Sequence, residues 1–565
     1  MVILQIKQKS FLLAVFFLTF SYAKIYTQNL QLPLGSRSEM IIERWTIQGY
    51  NNTTHPPIKP YQRQDLADFV QLLDSISFLK YDKADIEYAA LETQDFSKDS
   101  ASVAKLNNPK PLLKYLYKTP SDFFSLKSEN FYLKLNPVLG VSLGRENNNA
   151  NNIFENHRGI EIRGGIDNKV YFYSRVLESQ VSYVGYLTDR IYRFQAIPGN
   201  GFYKNYNSKI FNVTDGFDYN NANAYIGFNI SKHIGAQFGY GSNFIGNGIR
   251  SLFLSDYANN YLYLKLNTRI GRFHYQNIFG ELQAAGARDD VGDELIPKKY
   301  FAAHYLSYAI NNNWHVGFFE TVVFSRKDRF EFQYLNPVIL YRTAEGALGS
   351  PDNVLVGLNF SGNLFNTIQL YGQLMLDEFL FKELLVERRG WWANKYGLQG
   401  GLKYINAFNI ANLDLQLEAN LVMPYTYSHS DSLANFSHYN QPLAHPLGAN
   451  FIEGIGKISY RITPQLMAQC WLHKYAQGLN TQTQNWGENI LQSNTDRVQE
   501  YSNTLLQGHR TEVSRITFRL DWEFYHNMTV FAEYTDRKQT GANAQNLKYF
   551  GAGVRLNLTL KTQLL

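Results

Sequence analysis

The chain has 565 residues, a formal net charge of +6, 15% aromatic residues and only 18% charged ones. A soluble enzyme usually carries more charge and fewer aromatics, and so small a surplus of cations, with no concentrated basic tract, excludes nucleic acid as a partner. The single cysteine, Cys470, excludes an internal disulfide framework. After residue 23 no apolar run is long enough for a transmembrane helix, so contact with a membrane falls to strands.

Lys7 and Lys9 precede the apolar run FLLAVFFLTF at 11–20, and Ser21-Tyr22-Ala23 follows. This order predicts a signal peptide over 1–23, cleaved after Ala23; the run is too short for an anchoring helix. Residues 24–128 read as a small, partly helical domain. YQRQDLADFVQLLDSI at 61–76 places Leu66, Phe69, Val70, Leu73 and Ile76 on one helical stripe, with Pro57 and Pro60 marking its start. KADIEYAALETQDF at 83–96 is a second, less regular helix candidate.

From about residue 129 the period changes to two. Leu413, Leu415, Leu417, Ala419 and Leu421 alternate with Asn412, Asp414, Gln416, Glu418 and Asn420. Ile516, Phe518, Leu520, Trp522 and Phe524 alternate with Arg515, Thr517, Arg519, Asp521 and Glu523, and Phe550 to Leu560 alternate in the same way. Cys470 falls among Leu466, Ala468 and Leu472 on an apolar face, which makes it a small outward residue rather than a nucleophile. Such segments, counted to residue 560, number about 18, with 16 as the alternative. Short turns alternate with long loops at 183–221, 283–300, 326–352, 425–447 and 478–511. The expected fold is all-β: an antiparallel transmembrane β-barrel over 129–560, lipid outside and water inside, in the cell outer membrane. Parity puts both barrel ends and the N-terminal domain on the periplasmic side. The abundant Tyr suits the two membrane interfaces.

GYGSNFIGNGIRSLFLSD at 239–256 superficially resembles a phosphate-binding glycine loop. It follows an antiparallel strand and leads to another, so no βαβ unit is available and the reading is a tight outer loop over the barrel mouth, with Arg250 and Asp256 anchoring it. His429, Asp431, His438 and His445 crowd one loop but match no metal-ligand spacing. No serine has a nucleophile-elbow context, and Asp377–Glu378 and Asp352–Asn353 have no distinguishing surroundings, so no catalytic residue, metal or cofactor is assigned. VERRGWWANKYG at 386–397 and TQNWGENI at 483–490 mix aromatic and planar polar groups, which suits sugar rings. The candidate contacts for carbohydrate or loop anchoring are Arg250, Asp256, Trp391, Trp392, Tyr425, His429, His438, His445 and Trp486. An interfacial aromatic belt is the plainer reading for any one Trp.

Three stretches carry a likeness: HRGIEIRGGIDNKVYFYSRVLE at 157–178, FGYGSNFIGNGIRSLFLSDYANN at 238–260 and YLNPVILYRTAEGALGSPDNVLVGLNF at 334–360. It continues through YGQLMLDEF at 371–379, WWANKYGLQGGLKY at 391–404 and 424–454. In these the chain resembles the Wzi-like capsule-assembly family of outer-membrane barrels, and within it the RemB-type gliding-motility proteins. Gly248, Ser251, Leu252, Leu254 and Ser255 match that family's glycine turn followed by S-L-x-L-S. The resemblance implies an 18-stranded barrel with a helical periplasmic domain. It also implies lectin-like, non-enzymatic attachment of surface polysaccharide, or a role in gliding. Outer-membrane lipid, surface polysaccharide and gliding or export machinery are the implied partners; a porin or sugar channel is the alternative function. Mixed charges on the inner face, Asp414 and Glu418 on one strand and Arg515, Arg519, Asp521 and Glu523 on another, predict a sealed interior. The N-terminal domain is short for a plug.

Overall fold

The computed structural model describes residues 30–50, 54–73, 80–95, 121–147, 152–167, 169–284, 295–326 and 329–559. The expected signal peptide at 1–23 lies outside them. Among the described residues an 18-strand antiparallel barrel closes on itself. In chain order the wall is β1 (Phe131–Glu146), β2 (Ile153–Ile166), β3 (Val170–Ser182), β4 (Val213–Asn229), β5 (Ile234–Gly241), β6 (Tyr261–Ile270), β7 (Phe273–Gln283), β8 (Lys298–Ala309) and β9 (Trp314–Phe324). It continues as β10 (Asn353–Leu364), β11 (Ile368–Glu378), β12 (Lys395–Tyr404), β13 (Leu413–Val422), β14 (Phe451–Arg461), β15 (Leu466–Leu479), β16 (His509–Tyr525), β17 (Met528–Thr540) and β18 (Gln545–Leu556). β18 pairs with β1, so the sheet has no free edge and its backbone polar groups bond to one another.

Each segment read from period-two alternation is a wall strand, which excludes the count of 16. The largest boundary difference is β4. It starts at Val213, inside the expected 183–221 loop, and its first residues pair with the short strand Lys204–Ser208. The faces follow the alternation: Leu417, Phe518, Phe550 and Val554 are exposed on the outside, whereas Glu418, Arg515, Thr517 and Asp521 are buried within. Cys470 is half-buried on the outer face.

Among the described residues three helices precede the wall, α1 (Arg37–Ile47), α2 (Arg63–Leu73) and α3 (Lys80–Glu92). α2 and α3 are the two expected from sequence; α1 is new. Its start carries S-x-x-E: the Ser36 hydroxyl accepts from the Glu39 N–H at 3.3 Å, satisfying one orphan donor of the first turn, and the Glu39 carboxylate accepts from the Gly35 N–H at 2.7 Å just before the cap. Ile41, Ile42, Trp45, Leu66, Phe69 and Tyr88 form one small core.

That core is seated in the short-turn end of the barrel, ringed by ion pairs to the wall. Arg37 meets Glu523 at 2.5 Å, Asp85 meets Arg461 at 2.7 Å, Asp65 meets Arg269 at 2.9 Å, and Arg44 pairs with Asp414. From this end Ile58 and Lys59 reach inward and pair, strand to strand, with Ile245 and Phe244 of the glycine-rich loop descending from the other end. The lumen is therefore entered by the chain itself from both sides. The inner charges act as fasteners for these inserts, and also pair along the wall, as Arg519 does with Asp521 and Glu533, each at 2.9 Å. A segment expected to be too short for a plug serves as one because an inward loop meets it halfway.

Candidate functional site

The 239–256 stretch leaves β5, turns into the lumen and feeds β6. Gly248 makes its key contact possible: a Cβ there would lie 2.4 Å from the Glu418 carboxylate. With no side chain in the way, Glu418 on β13 accepts from the backbone N–H of Ile249 at 2.7 Å and of Arg250 at 3.0 Å. Tyr371 adds its hydroxyl at 2.9 Å. The stretch thus does form an anion-gripping backbone concavity, and the anion is the protein's own wall carboxylate. Beyond it, Leu252, Phe253 and Leu254 are fully buried, and Phe253 stacks on Phe319 at 4.8 Å. Gly357 on β10 leaves room for the Phe253 ring, which a Cβ would meet at 2.2 Å.

The 425–450 loop locks onto the first. The Tyr427 hydroxyl donates to the Leu252 carbonyl at 2.8 Å, and the Ser255 N–H donates to the Leu443 carbonyl at 2.8 Å. The hub below is Glu453 on β14, whose side chain is 0% exposed. Its carboxylate bonds His445 and His473, each at 2.7 Å, accepts from Asn420 at 2.8 Å, and lies 3.5 Å from the Arg250 guanidinium. Arg250, read from the sequence as a loop anchor or carbohydrate contact, thus reaches the wall carboxylate Glu453 from the inward loop. Asp256 is half-buried and lines a cavity of about 530 Å³ between the plug and the inward loops. Tyr186 and Leu187 of the loop helix α4 (Gly185–Phe194) overlie this chamber, and Arg175, Arg515, Trp471 and Tyr549 are among its walls. α4 is pinned by Arg190, which donates to the Pro446 carbonyl at 2.7 Å.

The histidines part company. His445 belongs to the hub. His438 sits on the far side of its loop, where its Nδ1 accepts from the Gln283 N–H and its Nε2–H donates to the Asn260 carbonyl, both at 3.0 Å, which defines a neutral tautomer. Burial pushes its pKa down to about 4, the Asn260 carbonyl opposing and the Lys299 ammonium adding to the fall. His429 is half-buried and accepts from the Asp431 N–H at 3.1 Å. Among the described residues no His, Cys, Asp and Glu group is arranged to hold a metal.

The His438 shift has a testable sign. A base whose pKa is depressed by folding stabilises the seated loop above the unfolded value near 6.5. That contribution is lost as pH falls from there to about 4, and amounts to about 3 kcal/mol when complete. Proteolysis of the 425–450 loop will therefore rise across this window, and His438→Gln will flatten the rise. An equally steep profile in the variant would remove His438 from the account.

Trp391, Trp392 and Tyr425 are brought together at the long-loop end, whereas Trp486 is half-buried on the 480–508 loop, its carbonyl accepting from the Gln507 side chain at 3.0 Å. The indole N–H groups of Trp391 and Trp392 both donate to Glu500, at 3.1 and 2.9 Å. Arg497 lies over the Trp392 ring at 4.3 Å and donates to Glu500. Trp392 meets Tyr425 edge-on at 6.3 Å, and Tyr425 holds the 480–508 loop through its hydroxyl to the Asn485 carbonyl at 2.8 Å and its N–H to the Gly487 carbonyl at 2.9 Å. Arg497 and Glu500 were not among the sequence candidates; their only local signal is opposite charge three residues apart. Asp377 pairs with Lys395 at 3.2 Å and accepts from the Tyr427 N–H at 2.8 Å, while Asp352 holds Arg326 and Tyr334, so both carboxylates are loop fasteners.

No protein-family model matches the chain, and none of the curated proteins does. Among solved structures the chain is similar to Wzi of Escherichia coli, an outer-membrane protein involved in group 1 capsule assembly and described as a carbohydrate-binding β-barrel. The identity is 12%, the match covers 94% of this chain and 100% of that one, and the TM-score is 0.57. OprD of Pseudomonas aeruginosa matches at 9% identity over 75% of this chain and 94% of that one, with a TM-score of 0.41. OccAB2 of Acinetobacter baumannii matches at 11% over 76% and 98%, also with 0.41. At these identities what is shared is the barrel fold.

Proposed function

We propose that this protein is a non-enzymatic outer-membrane barrel that binds surface polysaccharide at its long-loop end and serves capsule or gliding machinery at the cell surface. One observation carries the reading. The lumen is occupied from both ends by inserts that ion pairs and a carboxylate hub fasten to the wall, while Trp391, Trp392 and Tyr425 meet at the long-loop end. A porin needs an open aqueous path, and the fastened inserts stand across it. The outward apolar face supports residence in a bilayer, and the similarity to Wzi over nearly the whole chain supports the outer membrane and a capsular saccharide. The gliding role and RemB-type kinship rest on the sequence stretches at 157–178, 238–260 and 334–360. The ends of the chain are read as a cleaved leader over 1–23, a periplasmic segment over 24–128 and the barrel over 129–560.

Aromatic faces bind the apolar side of a sugar ring while planar polar groups take its hydroxyls. Arg497 already covers one face of Trp392, so Trp391 is assigned the stacking role, with Glu500 and Arg497 at the rim. Trp391→Ala will weaken binding of purified surface polysaccharide about tenfold, or about 1.4 kcal/mol, and leave the barrel folded. Unchanged binding by calorimetry would remove this platform from the proposal. A clean deletion scored in parallel for capsule retention and surface spreading separates the two cellular roles; loss of neither overturns both.

A further inference from the structure

The described residues of the 326–352 loop behave unlike the 239–256 and 425–450 loops. They fold down the outer wall instead of into the lumen. Tyr334, Tyr341 and Ala344, the last two on helix α5 (Tyr341–Ala347), pack in one cluster with Phe279 of β7, Tyr300 and Ala302 of β8, Val322 and Phe324 of β9, and Val354 of β10. These wall residues share the outward parity of exposed Phe273, Leu306, Val316 and Leu358. The root of the loop is fixed by Arg326, which donates to Asp352 at 2.8 and 2.6 Å.

Besides the Glu281–Lys298 pair nearer the rim, four polar side chains on this outward face, where apolar ones are expected, turn to the loop. Tyr275 and Asn277 both donate to the Pro337 carbonyl, at 2.5 and 3.1 Å. His304 hydrogen-bonds the backbone of Asn336 and packs on the Tyr341 ring at 3.9 Å. Glu320 accepts from the Arg342 N–H at 3.0 Å. Asn277 pairs with His304, and His304 with Glu320, so three of the four form one row across β7, β8 and β9. Glu320 lies four residues inside the loop end of β9, roughly 10 Å down a tilted strand. The tip also satisfies itself: the Val338 N–H donates to the Asn336 side chain at 3.1 Å, and Pro337 has no N–H to satisfy.

Irregular backbone survives at hydrocarbon depth only when its polar groups are bonded by protein. The row of wall side chains does that. Meanwhile the face of the loop turned from the wall carries large bare apolar side chains, with Phe332 79% exposed, Val338 81% and Leu340 56%, beside exposed Gln333, Asn336, Thr343 and an Arg342 that pairs with Glu345 at 2.8 Å. That face continues the apolar outer surface of the barrel.

We propose that residues 330–348 form a re-entrant clasp embedded in the outer leaflet, with Phe332, Val338 and Leu340 in contact with lipid acyl chains. Tyr275, Asn277, His304 and Glu320 are the latch that makes the insertion possible. The proposal rests on the barrel spanning a bilayer.

The test uses the full chain in dioleoylphosphatidylcholine vesicles, in a Cys470→Ser background, with an environment-sensitive fluorophore on Val338→Cys. Phe518→Cys on β16 is the wall control, and heat-modifiable gel mobility confirms folding. The Val338 label is expected to be quenched by acyl-chain nitroxide to within about twofold of the wall label, and to resist aqueous iodide. In a Asn277→Leu, His304→Leu, Glu320→Leu variant it is expected to exchange lipid quenching for iodide quenching. Iodide access in the unaltered latch, or shielding from both quenchers by a protein partner or second copy, would overturn the clasp while the wall label still reports lipid. Failure of the wall label itself would overturn the membrane reading. A latch variant with unchanged quenching would remove the latch.

Discussion

Glu453→Ala will unseat both inward loops and convert a silent barrel into one that conducts in stepwise openings. The carboxylate is the shared acceptor for His445 on the 425–450 loop, His473 and Asn420 on the wall, and it neutralises Arg250 on the 239–256 loop. Deleting it leaves a buried guanidinium short of its counter-charge and three donors short of an acceptor. Breaking such a buried arrangement costs about 3–5 kcal/mol, comparable to what holds a loop in place and less than what holds a closed sheet. The barrel should survive and the loops should not stay seated. Planar-bilayer recording will show the openings, and proteinase K will cut within 425–450. Glu453→Gln, which keeps an acceptor but no charge, should fall between. A Glu453→Ala protein as silent and as protease-resistant as the parent would refute the fastening role.

The second large effect is expected at the other end. Glu43 on α1 takes an ion pair from Lys59 and another from Lys403 of β12 at 2.8 Å, and Lys59 also meets Glu39 at 2.7 Å. Burial opposes the charge on Glu43, yet Lys403 and Lys59 hold its pKa down at about 2. Glu43→Ala would leave two enclosed ammonium groups facing each other next to the Ile58–Lys59 seam. We expect the helical plug to exchange its amide hydrogens faster by about two to three powers of ten, the equivalent of about 3–4 kcal/mol, with the wall strands unchanged. The pH sign follows from the depressed carboxylate. Its contribution is fully present above the unfolded value near 4.5 and is lost as pH falls towards about 2. Plug exchange in the parent should therefore accelerate over that interval, and in Glu43→Ala it should not. Equal protection in both proteins at neutral pH would show that the seam and the ring of other ion pairs hold the plug without this contact.

The two effects are separable because the inserts are held by different wall side chains, even where they share a strand, as Asp414 and Glu418 do on β13 and Arg461 and Glu453 on β14. Release of the loops leaves the plug on Glu523, Asp414, Arg461 and Arg269; release of the plug leaves the loops on Glu418 and Glu453. Full conductance is expected only when both are loosened, so the double variant should exceed the sum of the two single ones.

The wall was legible residue by residue. Alternation such as Leu417–Glu418–Ala419–Asn420 assigns an inner and an outer face from adjacent positions alone, and the turns between strands are equally local. For the same reason Cys470 could be placed outside and Glu418 inside without knowing any partner. At the candidate site the reading divides. The sequence offers Arg250 and Asp256 as loop anchors and Trp391, Trp392 and Trp486 within two aromatic–amide clusters, because those loops announce themselves by composition. It does not offer Arg497, Glu500 or the Glu453 hub, since their meaning lies in partners contributed by other loops. The helix α1 was passed over because its cap and short apolar stripe, Ile41, Ile42 and Trp45, gain their weight only against α2, α3 and the wall.

What the sequence by itself determined is the barrel: its antiparallel order, a count of about 18 strands that the closed sheet then fixed against 16, and the side of the sheet each residue takes. These depend on a two-residue period and on neighbours a few positions apart. What only the tertiary structure decided is where the connecting chain goes. The 239–256 stretch enters the lumen because Glu418, 169 residues from Ile249, offers a carboxylate that its glycine-freed backbone can grip. The 326–352 stretch lies against the outer wall because Tyr275, Asn277, His304 and Glu320 wait there for its backbone. Neither segment has a period of its own, so its path is set by the polar groups it can satisfy and the apolar surface it can cover, and those come from strands distant in the chain.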